Sequence, residues 1–116
     1  MSLLGIIFDA VKNFIRFVGE IVFRFVSGII SLAKHVVAYF KGLHLQKGRD
    51  IPFLANANNE EFRAMLQKAP VKDVGIFQGT YNEYTNEIEH HRALQADECD
   101  EALEDALGDE PLVVLN

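Results

Sequence analysis

Residues 3–41 read LLGIIFDAVKNFIRFVGEIVFRFVSGIISLAKHVVAYFK, and polar side chains recur there at every third or fourth position. That spacing is the period of an α-helix, so the polar residues form one stripe along a predicted helix over residues 1–42. The stripe comprises Asp9, Asn13, Arg16, Glu20, Arg24, Ser27, Ser31 and Lys34. It covers only about a third of the circumference, which predicts a helix with an unusually wide apolar face.

The apolar face of this predicted helix is expected to contact a membrane or a partner. Its centre is formed by Leu4, Ile7, Val11, Phe14, Val18, Ile21, Val22, Phe25, Ile29, Leu32, Val36 and Phe40. A continuous helix over these residues would be roughly 58 Å long, whereas about 70 compact residues span roughly 28 Å. Half of the apolar face would then be bare, which is more than monomers in water normally expose.

Opposite charges lie three or four residues apart within the polar stripe. Asp9 is close to Lys12 along the chain, and Glu20 lies between Arg16 and Arg24. On a helix such residues are neighbours, and each ion pair contributes a few tenths of a kcal/mol. The pairs would reduce the cost of placing the stripe in a crowded interior.

The two parts of the chain differ in charge. Residues 1–49 carry seven Lys and Arg against two acidic residues, a balance of +5, and residues 50–116 carry four against fifteen, a balance of −11. The acidic part would repel nucleic acid, which is not expected as a partner. Cys99 is the single cysteine, so a disulfide within the chain is excluded and a reducing cytoplasmic compartment is expected for the C-terminal part.

The spacing of polar and apolar residues changes after the predicted helix, so the sequence predicts three segments. Residues 1–42 are the amphipathic helix, residues 43–56 are a linker with Gly and Pro, and residues 57–116 are a small acidic domain. The fold class that this organisation predicts is α+β.

Short elements follow one another in the predicted C-terminal domain. Asn58 is a candidate cap for a short helix. Residues 74–81 and 87–96 have the residue pattern of two strands, as in a β-hairpin. Asp97 is a candidate cap for a second short helix, and the run LVVL at residues 112–115 is typical of a C-terminal strand.

Residues that carry out a reaction are not evident in the sequence. Glu87, Glu89 and His91 would share one face of a regular strand, as a metal or acid-base cluster would, but a solvated charged strand is the favoured interpretation. The chain lacks a catalytic triad, a paired metal motif and a nucleotide fingerprint. We therefore expect a protein that is not an enzyme and has no metal, cofactor or small-molecule substrate.

The predicted function is that of a membrane-associated or oligomer-forming structural protein, with membrane lipid or other copies of the chain as partners. The eleven-residue spacing of Asp9, Glu20 and Ser31 resembles that of helices that lie on lipid surfaces. One alternative is a homo-oligomeric membrane pore lined by the polar stripe. Another is a ligand- or metal-binding α+β domain in water, in which the helix folds back at Ser27–Gly28 into a hairpin core.

Overall fold

The computed structural model describes residues 2–115, in which strands and short helices alternate. In chain order the elements are α1 (Leu3–Val18), β1 (Arg24–Phe25), β2 (Ile29–Ile30), a π-helical turn (Leu32–Val37) that continues into α2 (Ala38–Gly42), β3 (Asp50–Asn56), α3 (Glu60–Arg63), β4 (Val74–Asn82), β5 (Glu87–Ala96), β6 (Glu98–Cys99), α4 (Glu101–Leu107) and β7 (Leu112–Val114). The π-helical turn and α2 are called the second helix below.

A five-stranded sheet in the order β1-β5-β4-β3-β7 organises the molecule. β3, β4 and β5 are antiparallel neighbours, and β7 pairs antiparallel with β3 at one edge. β1 pairs parallel with β5 at the other edge, and β2 and β6 form a separate two-stranded sheet. Both edges of the central sheet therefore consist of very short strands.

Helices cover the central sheet on both faces. On the first face, Ile7, Val11 and Ile15 of α1 pack in one cluster with Phe53 and Phe77 of the sheet. On the second face, the core includes Val36 and Phe40 of the second helix together with residues of α4. All residues of β4 after Val74 are buried, because the strand has packed neighbours on both faces.

The α+β class is confirmed, with a helix at the N-terminus and a short helix, a hairpin, a short helix and a strand after it. The helix caps lie at neighbouring residues rather than at the predicted ones. Asn59, not Asn58, accepts the Glu61 N–H at 2.9 Å, and Asp100, not Asp97, accepts the Leu103 N–H at 2.9 Å. The second short helix begins later than predicted because residues 98–99 form β6.

The predicted continuous helix over residues 1–42 is wrong in its length, since α1 ends at Val18. Gly19 has a φ of +82° and donates its N–H to the Ile15 carbonyl at 2.9 Å, which closes the helix with a backbone conformation that glycine adopts at low cost. The molecule measures 37 × 29 × 23 Å, so residues 2–115 contain no helix of 58 Å. The apolar face is instead divided between the two faces of the sheet.

The chain does fold back within the N-terminal segment, as the hairpin alternative proposes, but the two helices do not form a hairpin. α1 and the second helix contribute to separate core clusters on opposite faces of the sheet. The predicted linker over residues 43–56 is also corrected, because Asp50–Asn56 form β3. Phe53 and Ala55 enter one core cluster and Leu54 the other, which is the alternation of a strand covered on both sides.

Candidate association surface

The residues predicted to face a membrane or a partner divide into a buried and an exposed group. Five of them are core residues of this single chain: Ile7, Val11, Ile21, Val36 and Phe40. The expectation that these five contact a partner is wrong, because the sheet itself covers them. Phe14 and Leu32 are half-buried, and the exposed members are Leu4, Val18, Val22, Phe25 and Ile29.

Exposed apolar side chains remain concentrated in the N-terminal segment. Over residues 2–115, eight of the ten large apolar side chains that are exposed lie between residues 3 and 29. They are Leu3, Leu4, Ile6, Phe17, Val18, Val22, Phe25 and Ile29, and the other two are Val71 and Tyr84. An apolar surface that no other part of the chain covers is typical of a site of association.

Three of the most exposed apolar side chains lie together beside β1, and we call them the edge surface. Val22 is 71 % exposed, Phe25 is 55 % exposed and Val71 is 81 % exposed. Val22 and Val71 line the same groove of about 230 Å³. The ammonium nitrogen of Lys72 lies 5.1 Å from the centre of the Phe25 ring, which places Phe25 near the chain segment that contains Val71.

Gln95 on β5 fixes the two chain segments that form the edge surface. Its side-chain Nε2 donates to the Phe23 carbonyl at 3.0 Å. Its Oε1 accepts from the N–H of Val71 at 2.9 Å and from the N–H of Lys72 at 3.2 Å. One amide therefore joins segments that are distant in sequence and keeps Val22, Phe25 and Val71 on the same side of the molecule.

The backbone of β1 is open to the outside. The Val26 N–H donates to the Gln95 carbonyl at 2.8 Å, and Phe25 is the register partner of Gln95. In a strand successive backbone groups point in opposite directions, so the N–H and C=O of Phe25 point away from β5. No further strand lies beyond β1 among residues 2–115. The apolar edge surface thus adjoins an unpaired strand edge.

Charges of both signs surround the edge surface. Lys72 forms an ion pair with Asp97 at 3.4 Å between Nζ and Oδ1. Glu20 and Lys68 line the groove with Val22 and Val71. Lys68 and Lys72 are basic, and Glu20 and Asp97 are acidic, so two side chains of each sign border this apolar area.

A second apolar area lies on α1, near the tip of the β4–β5 hairpin. Phe17 is 89 % exposed and borders an open cavity of about 420 Å³ with Phe14, Asn86 and Ile88. Apolar side chains form part of its wall, while Asn86 and Glu87 contribute polar groups. Among residues 2–115, the charged residue that lines this cavity is Glu87, which is exposed, so the cavity lacks the converging polar groups of a specific ligand site.

The predicted polar stripe is mostly solvated, but its ion pairs are not formed. All its members are exposed except Ser31, which is half-buried and caps the second helix by accepting the Lys34 N–H at 3.2 Å. Within residues 2–115 the salt bridges join Arg49 to Asp50 and Lys72 to Asp97. The predicted pairs at Glu20 fail because Glu20 lies beyond the end of α1.

A β-bulge separates the residues of the possible acid-base cluster. Gly79 pairs with His91 and Tyr81 pairs with Ile88, so two residues of β5 lie opposite Thr80. The His91 ring lies 4.7 Å from that of Phe14 on the first face of the sheet, whereas Glu89 accepts a hydrogen bond from Asn82 at 2.6 Å. Residues 2–115 contain no group of three side chains suited to a metal ion.

His91 is partly covered by aromatic rings, those of Phe14 at 4.7 Å and Phe77 at 6.0 Å between centroids. This burial lowers the pKa of His91, and the neighbouring His90 lowers the pKa further. The contacts with these two rings therefore favour the neutral form of His91, which packs against the edge of the core.

A polar network that the sequence pattern does not reveal attaches the second helix to the sheet. The buried Gln78 donates to the Val36 carbonyl at 3.2 Å and accepts from Nε of Arg92 at 2.8 Å. Arg92 also donates to the His35 carbonyl and lies over the Tyr39 ring, 4.5 Å from its centre. Carbonyl groups of the π-helical turn thus bind side chains of the sheet, and the role of the network is structural.

The acidic side chains of α4 are exposed, and Asp100 at the start of this helix has a structural role. Its carboxylate accepts the N–H of Leu103 at 2.9 Å and that of Leu32 at 3.2 Å. These hydrogen bonds lower the pKa of Asp100. Cys99 has a raised pKa, because burial and the charges of Glu104 and Asp100 disfavour its thiolate.

Comparison with known proteins identifies no relative, because no family profile, no curated protein and no solved structure matches the chain. Among the helices of residues 2–115, none is both long enough and apolar enough to cross a membrane. The fold and the edge surface therefore carry the functional argument.

Proposed function

We propose that this chain is a non-enzymatic, self-associating protein in which the edge surface of one copy binds that of another. The observation that carries the proposal is the position of Val22, Phe25 and Val71, each more than half exposed, beside the outer edge of β1, which has no partner strand among residues 2–115. The outer edge of such a strand is a template for pairing with another chain, because its backbone N–H and C=O groups have no partner strand.

The distribution of charge favours a second copy over an anionic membrane. The basic residues of the N-terminal segment lie on opposite faces of the sheet, Lys12 and Arg16 on α1 and Lys34 and Lys41 on the second helix. They do not combine with the edge surface into one basic apolar face, as interfacial helices do. The net charge of −6 also opposes binding to anionic lipid.

The mixed charges around the edge surface fit a second copy. A surface with equal numbers of basic and acidic groups can place each sign near its opposite when it meets itself across a two-fold axis. Each such pair at a solvated rim contributes little to affinity but helps to select the orientation.

Sedimentation velocity over a range of protein concentrations tests the proposal. We expect the wild type to change from monomer to dimer with rising concentration, and the double variant Val22→Glu, Phe25→Glu to remain a monomer. The control is Leu3→Glu, which adds a charge at a 44 % exposed site on the first turn of α1. It should dimerise like the wild type, since an acid is favourable near a helix N-terminus.

Vesicle flotation separates self-association from the membrane alternative. With vesicles that contain an anionic lipid, at low salt, we expect the wild type to stay unbound. If it floats with the vesicles, loses this property in the Val22→Glu, Phe25→Glu variant and sediments as a monomer at every concentration, the edge surface binds lipid and the proposal is overturned.

A further inference from the structure

We infer that two copies join by antiparallel pairing of their β1 strands, centred on Phe25, so that the two central sheets become one continuous sheet. This inference rests on the proposed self-association and adds its geometry. The partner is a second copy of this chain, and the atoms that meet first are the backbone N–H and C=O of Phe25 in each copy.

The hydrogen bonds already made along the edge select Phe25 as the centre. The Val26 N–H donates to the Gln95 carbonyl of the same chain, and the Phe23 carbonyl accepts from the Gln95 side chain. The chain bends at Ser27 and Gly28, where the extended edge ends. Phe25 is thus the residue in the extended part whose N–H and C=O both face outwards.

A two-fold axis through Phe25 makes the pairing reciprocal. Each Phe25 N–H donates to the Phe25 carbonyl of the other copy, which is the hydrogen-bonded type of antiparallel pair. Beyond β1, this register brings Val22 towards the bend at Gly28 of the partner subunit. Nothing lies within 4 Å of a Cβ position built on Gly28, so there is open space above it for a valine side chain.

The inferred contact is small. It comprises one reciprocal pair of backbone hydrogen bonds and the apolar side chains around Phe25, which is typical of weak, transient interfaces that bury less than about 1,200 Å². We expect a dissociation constant between about 1 μM and 1 mM, so the dimer should be observed at high protein concentration.

Disulfide trapping tests the register. In a Cys99→Ser background, Phe25→Cys should form a disulfide-linked dimer on mild oxidation, because residues in such a pair have Cα atoms about 5.5 Å apart and disulfides span about 4.4–6.8 Å. Val22→Cys in the same background is the matched control. Its two copies would lie six residue positions apart, roughly 20 Å, and should not be linked.

Proline substitution tests the role of the backbone. Phe25→Pro removes the N–H that we assign to the partner, while Phe25→Ala removes only the side chain. We expect the proline variant to dimerise at least several-fold more weakly than the alanine variant, with both monomers folded by circular dichroism, since the internal bond uses Val26 instead.

The outcomes separate the geometry from the association itself. If the wild type dimerises, and its dimer is lost with Val22→Glu and Phe25→Glu, but Val22→Cys is linked as readily as Phe25→Cys, the strand pairing is overturned and the self-association stands. Equal dimerisation of the Phe25→Pro and Phe25→Ala variants would overturn it as well. If the wild type remains a monomer up to about 1 mM, the proposed function fails together with the inference.

Discussion

β4 at the centre of the sheet and β1 at its edge differ strongly in burial. All residues of β4 after Val74 are buried between helices, whereas both residues of β1 are exposed. Burial of side chains sets the stability of a fold, while exposed apolar side chains beside the open edge of a strand are free to bind a partner. We therefore expect substitutions in β4 to change folding and substitutions around β1 to change association.

The largest effect is expected for Phe77→Ala in β4. Phe77 is fully buried, and its ring centre lies within about 6 Å of those of Phe53, Phe62 and His91. Loss of such a ring leaves a cavity and typically lowers the free energy of unfolding by about 3–5 kcal/mol, as measured by urea denaturation. Phe17→Ala, at an 89 % exposed site, should change it by less than about 0.5 kcal/mol. Equal losses would contradict the division into core and surface.

An intermediate effect is expected for Arg92→Ala. The substitution leaves the buried Gln78 and the His35 carbonyl without their donor, which should lower the free energy of unfolding by about 1–3 kcal/mol. Arg92→Lys should not restore it, since one ammonium cannot reproduce the planar fork of the guanidinium. The exposed Arg16→Ala is the control, and urea denaturation is the measurement. Full stability of the lysine variant would contradict this role.

A smaller, pH-dependent effect is expected at His91. Burial holds the pKa of His91 in the folded chain below the ordinary histidine value of about 6.5. As the pH falls through that value, the histidine of the unfolded chain binds a proton before His91 of the folded chain does. The free energy of unfolding therefore decreases as the pH falls. The urea midpoint should therefore fall less for His91→Phe than for the wild type between pH 7.5 and pH 5.5. An identical fall in both chains would contradict the burial of this ring.

The smallest effect on folding is expected for the Val22→Glu, Phe25→Glu variant. Both side chains are more than half exposed, so the free energy of unfolding of the monomer should change by no more than about 1 kcal/mol in total. The measurement is urea denaturation at a concentration where the wild type is a monomer. A loss as large as that of Phe77→Ala would show that the edge surface is core, and the proposed association would lose its basis.

The hairpin of β4 and β5 was predictable because its pattern is local. The β-rich runs at residues 74–81 and 87–96 each fill most of one strand, and the turn between them contains Asn82 and Asn86. The helix caps were displaced to Asn59 and Asp100 because several neighbouring residues are equally good caps. Only tertiary contacts, such as the bond from Leu32 to Asp100, select among them.

The N-terminal segment was not predictable from its period alone. A polar residue at every third or fourth position is compatible with one long helix and also with two helices on opposite sides of a sheet. Residues 20–26, EIVFRFV, are rich in β-branched and aromatic side chains, and Phe23 interrupts the polar stripe, so local signals of extended structure were present. Their pairing with β5 depends on residues about 70 positions away.

The edge surface was predictable only in part. Val22 and Phe25 belong to the predicted apolar face of the N-terminal helix. The helical period identifies the apolar side chains, but it does not tell which of them are buried and which are exposed. Val71 was not predicted to belong to this surface. It is held there by the hydrogen bond from its N–H to the side chain of Gln95, which is 24 residues away in sequence. Hydrogen bonds from one half-buried side-chain amide to distant segments leave no periodic signal in the sequence.

The edge of the sheet at β1 exists only if α1 and the second helix lie on opposite faces of the sheet. The distance between one residue of α1 and one of the second helix tests this arrangement. Spin labels on Lys12→Cys and Lys41→Cys, in a Cys99→Ser background, would mark exposed positions on α1 and the second helix. Double electron–electron resonance on the dilute monomer should give a distance below the 37 Å longest extent of the molecule. A distance of about 44 Å, the length of a continuous helix between these positions, would contradict the account.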